Sequence, residues 1–241
     1  MKLSEKFKKW GLEYSGCDGG DIGNDSSPSI WVCGIEWGGG HTAESLREHI
    51  MEDATVPPKG YLEWKENLQH RFNWQVMKIL SVINGGLVSE YKKFAEDVQP
   101  FIRGKNGYFK MNLYPIAFKN TSHEHWNNNF ADITGFQNKT DYLSWCSECR
   151  FPEMRKWAKQ SAPKLIICLG KTYINEFKLA FYKKDAQFNH KEIDNRDLYW
   201  AINEEGTLII VIPFMSGRYG LVKNVSIQKF GENISHLLTT R

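Results

Sequence analysis

The chain lacks any apolar run near the roughly 20 residues that a membrane-spanning helix needs, and its first segment, MKLSEKFKKWGLEYSG, is amphipathic and charged with no signal-peptide core. Both point to a cytoplasmic protein with no membrane partner. Its five cysteines are an odd number, so they do not make a closed disulfide framework. Cys33 and Cys168 lie in apolar strand-like runs, where thiols act as small hydrophobes. Cys146 and Cys149 form a C-x-x-C without a second pair to complete four ligands, so no metal site and no cofactor is expected. Repeats and low-complexity tracts are absent. A large excess of one charge is missing too: the net charge is +3, which permits contact with nucleic acid without requiring it. What is plentiful is aromatic. Nine tryptophans suit a core, a stacking surface or an interface equally well.

The length, 241 residues, fits one domain better than two. Short apolar runs at 30–35, 107–118, 163–170 and 207–213 read as strands, the last two as buried parallel strands. Helical spacing is present at 43–53, 61–83, 89–98, 152–161, 171–182 and in the last segment, where Ile227, Phe230, Ile234, Leu237 and Leu238 share a face. Asn84-Gly85-Gly86 stops the second of these. Residues 119–142 are polar and read as loop with a short helical piece, and 183–206 as irregular with a hairpin around Leu198 to Ile202. Strands separated by helices predict an α/β protein, a three-layer α/β/α sandwich around a mostly parallel four-stranded sheet, with a helical insertion over about 43–100. In such sheets ligands bind beyond the carboxyl ends of the strands. The segments to watch are therefore 34–40, 111–114, 170–172 and 212–220.

Those four ends carry G-I-E-W-G at 34–38, F-K-M-N at 109–112, P-K-L-I-I-C-L-G at 163–170 and V-I-P-F-M-S-G-R-Y-G at 211–220. In this order they resemble the uracil-DNA glycosylase superfamily, over roughly residue 17 to the end. NTSHEHWNNNF, 120–130, adds a faint echo of a segment of the same family. The resemblance implies a DNA glycosylase-like protein that flips a damaged or modified base out of the duplex and hydrolyses its glycosidic bond. Several positions depart from the pattern: Phe214 replaces a serine, and the loop after it is one residue short. Trp37 stands where a loop proline is usual, and Ile212 where the family places a histidine or asparagine.

Carried onto this chain, the resemblance makes Glu36 the carboxylate that orients water beneath the sugar. Asn112 reads the base edge, since one amide both donates and accepts. Trp37 and Tyr114 flank the base as stacking surfaces and Ile212 closes the pocket; Phe118 is expected in the core, and Tyr114 there as readily as on a base. Gly38, Gly39 and Gly40 let backbone amides approach a phosphate, or simply form a flexible turn. Met215 is the candidate wedge, with Ser216, Arg218 and Lys223 as phosphate contacts. Ile212 cannot donate to a departing base, so another donor such as Tyr219 or His123 compensates, the leaving group is intrinsically better, or the protein binds without cutting. A catalytically silent nucleotide- or nucleic-acid-binding relative is the alternative. The expected partner is DNA and the expected state a monomer.

Overall fold

The computed structural model describes residues 2–118 and 122–240. Seven strands, β1 (Gly19–Gly20), β2 (Ile30–Gly34), β3 (Tyr108–Asn112), β4 (Leu165–Leu169), β5 (Asn189–Ile193), β6 (Arg196–Ile202) and β7 (Leu208–Ile212), form one sheet. Their order is β1-β3-β2-β4-β7-β6-β5. The α/β class is as expected, but the sheet has seven strands where four were expected. The four expected strands are its parallel middle, β3-β2-β4-β7. The other three pair antiparallel at the two edges. β5 and β6 form a hairpin, displaced from the expected 198–202, around Asp194 and Asn195 at φ +49° and +57°. Two consecutive positive φ values match the twist of a tight hairpin.

Among the described residues ten α-helices accompany the strands: α1 (Leu3–Leu12), α2 (Ala43–Ile50), α3 (Trp64–Asn67), α4 (Arg71–Ile83), α5 (Tyr91–Val98), α6 (Asn128–Thr134), α7 (Lys139–Trp145), α8 (Phe151–Ser161), α9 (Ile174–Phe181) and α10 (Asn224–Thr239). The helix expected over 61–83 is split, because Asn73 Nδ2 donates to the Asn67 carbonyl at 2.9 Å and Trp74 Nε1 to that of Leu68. Of the polar stretch 119–142, residues 119–121 lie outside the described part; much of the rest is helical, as α6 and the start of α7. A π-helical turn over Cys146–Arg150 joins α7 to α8. A widened turn there precedes Pro152, which brings no N–H to the ladder.

Alternation along the strands divides the core in two. Trp31, Cys33, Phe109, Met111, Ile166, Cys168, Ile209 and Val211 pack against Phe7 of α1, Met154 of α8 and Phe177 of α9. Ile30, Val32, Leu165, Ile167, Leu169, Ile210 and Ile212 pack against Val76, Ile79 and Leu80 of α4 and Ile227, Phe230 and Ile234 of α10. Each large apolar side chain buried this way contributes about 1.5–3 kcal/mol. Gly231 lets α10 approach α4: a Cβ there would lie 2.6 Å from the Cβ of Val82.

Among the described residues, one fully buried charge has no carboxylate partner. Arg150, 0% exposed, donates to the Leu113 carbonyl (2.8 Å), to the Gly11 and Glu13 carbonyls, and to the hydroxyl and carbonyl of Ser15 (3.1 and 2.6 Å). It fastens the segment after α1 to the end of β3.

Candidate functional site

At the carboxyl end of β3, Asn112 pairs in register with Gly34 of β2. Its Nδ2 donates to the Gly16 carbonyl at 3.0 Å. Its Oδ1 occupies the space above Gly34, where a Cβ would be only 2.4 Å away. Glycine at 34 is thus what allows the amide to lie there. Two residues earlier, Lys110 stands on the same face of the sheet.

Lys110 is nearly buried, yet a buried ammonium is costly unless paired. Its Nζ meets Asp18 Oδ1 at 3.2 Å, the Tyr61 hydroxyl at 3.2 Å and Asn73 Oδ1 at 2.9 Å. Burial opposes its charge, but Asp18 and Tyr61 outweigh it and raise its pKa. Tyr61 also donates to Asp18 Oδ1 at 2.8 Å, and burial followed by the Asp18 charge raises its own pKa. From the loop after β2, Trp37 Nε1 donates to Asp18 Oδ2 at 3.3 Å. Phe72 of α4 lies 5.5 Å from Lys110 Nζ and stacks on Phe214, which follows β7, at 5.3 Å. Trp37, Tyr61, Phe72 and Phe214 are all partly exposed. Asp18, Tyr61, Asn73 and Lys110 were not singled out from the sequence. The available signal was Lys110 itself: a lysine inside the strand YFKMN demands a counter-charge.

Glu36 has other surroundings. Its Oε1 takes Lys139 Nζ at 3.3 Å and its Oε2 the Phe118 N–H at 3.2 Å. The two side chains are 7% and 2% exposed. Lys139 Nζ also lies 4.1 Å from the Phe118 ring centroid. Burial raises the Glu36 pKa, against the lowering effect of Lys139 and the Phe118 N–H. The same loop is pinned again at His41, whose Nδ1 accepts from Ala117 N–H at 2.8 Å while its Nε2 faces His49 Nδ1 at 2.8 Å. Burial, then the neighbouring His49, lowers the His41 pKa to about 4. Gly38 and Gly39 are exposed with open space where a Cβ would stand, and Gly39 has φ +98°.

Several expected site residues are in the core instead. Ile212 is 0% exposed, packed on the α4/α10 side with no surface to offer a base. Met215 is 1% exposed and belongs to the same core, so it is no projecting wedge. The loop turns it under: Leu221 N–H donates to the Phe214 carbonyl at 2.9 Å. Tyr114 is buried at 4% exposure, and Phe118 is in the core as expected. Burial, with Glu176 next, pushes the Tyr114 hydroxyl far above its ordinary pKa. Tyr114 faces a separate hollow of about 280 Å³ that it shares with Phe151, Tyr173 and Glu176. Ser216, Arg218, Tyr219 and Lys223 are exposed, Tyr219 at 84%. The Arg218 guanidinium lies 5.7 Å from the Tyr219 ring centroid. His123 is exposed and set near Thr140.

The site therefore brings Asn112, Trp37 and the Asp18–Lys110 pair together, and it separates Glu36 into an ion pair of its own. Among the described residues no group of three His, Cys, Asp or Glu is placed to hold a metal ion, and no helix is long and apolar enough to cross a membrane. The chain matches no protein-family model and no curated protein.

Proposed function

We propose that the protein binds a single nucleobase of a nucleic acid at the carboxyl ends of β2 and β3, and that it does so without cleaving the glycosidic bond. The observation that carries this reading is the division of the motif side chains between two surroundings. Asn112, a base-reading amide by its chemistry, shares a sheet face with Lys110 and Asp18, and with aromatic rings from Tyr61 and Phe72. Partly exposed rings of this kind suit base stacking, worth about 1–3 kcal/mol per base. Glu36, the carboxylate that hydrolysis would require, is instead committed to Lys139 and to a backbone N–H. The absence of a donor at Ile212 agrees with binding over cleavage, since loss of one such donor costs on the order of 10²- to 10³-fold in comparable sites.

The exposed residues Ser216, Arg218 and Lys223, together with the open Gly38-Gly39 turn, suit contacts to phosphates, which position a strand without reading its sequence. Tyr219, exposed beside Arg218, extends that surface with a ring. The test is fluorescence anisotropy with labelled single- and double-stranded oligonucleotides, in parallel with alkali treatment of the same strands after long incubation. Binding that weakens with salt, falls in Arg218→Ala/Lys223→Ala and leaves no alkali-labile site is the expected result. Alkali-labile breaks that disappear in Glu36→Gln would overturn the non-cleaving reading in favour of a hydrolytic glycosylase.

A further inference from the structure

We infer that the base held at Asn112 is one that presents adjacent N–H donors, as guanine does with its ring N1–H and 2-amino group, and that Asp18 selects it. This rests on the base-binding reading above and adds the class of base.

Hydrogen-bond bookkeeping leaves acceptor capacity on Asn112, which is 5% exposed, and on Asp18, whose side chain is 14% exposed. The Gly16 carbonyl can only accept, so the Asn112 group 3.0 Å from it is Nδ2. The other end of the amide, Oδ1, then lies above Gly34, on the face where a side chain at 34 would have pointed. On the same face, Asp18 Oδ1 takes the Tyr61 hydroxyl and Lys110 Nζ. Asp18 Oδ2 has one long bond, from Trp37 at 3.3 Å. An ionised carboxylate offers about four lone-pair sites, so Oδ2 keeps acceptor capacity at the side from which the 34–40 loop approaches. Lys110 adds no competing donor, because its three protons already have Asp18, Tyr61 and Asn73.

Lys110 and Asn112 are two residues apart on one strand, about 7 Å along it. The Asp18 carboxylate sits against the first and the amide oxygen extends from the second. Guanine can donate one of its two adjacent N–H groups to Asp18 Oδ2 in a charge-assisted bond, with the second on the side of the Asn112 amide oxygen. Uracil and thymine meet it with carbonyls on both sides of a single N–H. Those carbonyls would be left facing oxygen, and a buried acceptor without a donor is what generates strong discrimination.

The experiment uses the full chain and a short single strand of abasic spacers carrying one central base. The bases compared are guanine, hypoxanthine, N1-methylguanine, xanthine, uracil and thymine. Guanine is expected to bind tightest. Removing the amino group, as in hypoxanthine, should weaken binding about tenfold or more. N1-methylguanine, uracil and thymine should be weaker still. Asp18→Asn places an amide where the carboxylate was. It should lower guanine affinity at least tenfold and raise xanthine, whose 2-oxo group accepts, above guanine. A merely structural role for Asp18 would weaken all bases alike. Should Asp18→Asn fail to fold, by its melting curve, the panel on the unaltered protein decides alone. Equal affinity for guanine, uracil and thymine would overturn the selection by Asp18 and leave base binding standing. Absence of binding to every strand, at a protein concentration well above micromolar, would overturn both.

Discussion

Replacing Lys139 by methionine leaves Glu36 buried without its cation. The two side chains are 7% and 2% exposed and 3.3 Å apart, so water cannot take over the role of the ammonium. Removing one member of a buried pair typically costs about 3–5 kcal/mol. The contact of Lys139 Nζ with the Phe118 ring at 4.1 Å adds to the loss, on the order of 1 kcal/mol. The cost should depend on pH with a definite sign. Burial already raises the Glu36 pKa above its ordinary value, and loss of Lys139 raises it further. In Lys139→Met the folded state then holds a proton that the unfolded chain has released. Such a group favours folding fully below its unfolded pKa, and that advantage is lost as pH rises through the folded pKa. Urea unfolding of Lys139→Met is therefore expected to show the full deficit at pH 7 and a much smaller one near pH 4, relative to the unaltered protein. The double variant Glu36→Gln/Lys139→Met should be more stable at pH 7 than Lys139→Met alone, because no charge remains buried. A deficit under about 1 kcal/mol at pH 7, the value of an exposed pair, would refute the claim that this pair is shielded from water.

Three other substitutions probe the same edge of the sheet. Gly34→Ala puts a Cβ 2.4 Å from Asn112 Oδ1; it should destabilise by about 1–3 kcal/mol and weaken oligonucleotide binding in anisotropy. Met215→Ala should cost about 2–5 kcal/mol in urea unfolding, since the side chain is 1% exposed. Tyr219→Ala, at an 84% exposed position, should change stability by less than about 0.5 kcal/mol. The His41 pKa, lowered from 6.5 to about 4, stabilises the fold above the unfolded value, and that contribution is lost as pH falls from 6.5 through about 4. His41→Asn keeps an acceptor for the Ala117 N–H and should flatten this part of a melting-temperature profile; an unchanged slope would locate the titration elsewhere.

The parallel strands β4 and β7 were legible because each is a short, continuous apolar run, and a two-sided core leaves no other use for such runs; β3 was legible despite Lys110. The edge strands were not. β1 is two glycines whose strand character exists only in tertiary pairing, with β3 on one side and Lys59 on the other, and β5 is NHKEI, charged because it is exposed. The position of Asn112 at a strand end could be read, and so could the exposure of Arg218. The partner of Glu36 could not, since Lys139 lies 103 residues away and only tertiary packing joins them. Asp18 and Tyr61 are likewise 92 and 49 residues from Lys110. In MSGRYG the composition alone does not say which side chain the turn directs inward; the backbone bond from Leu221 to Phe214 decides that for Met215.

Arg150 gives the molecule a long-range dependence that local sequence would not suggest. Through its single guanidinium, the carbonyls at 11, 13 and 15 are tied to the one at 113, next along the chain to the Gly16 carbonyl that holds Asn112 and to Asn112 itself. Cooperative opening should follow: amide hydrogens of the first seventeen residues and of the last turn of chain beyond β3 should exchange with deuterium at one common rate. Trimming α1 would then loosen the edge of the sheet that carries Asn112, far from it along the chain.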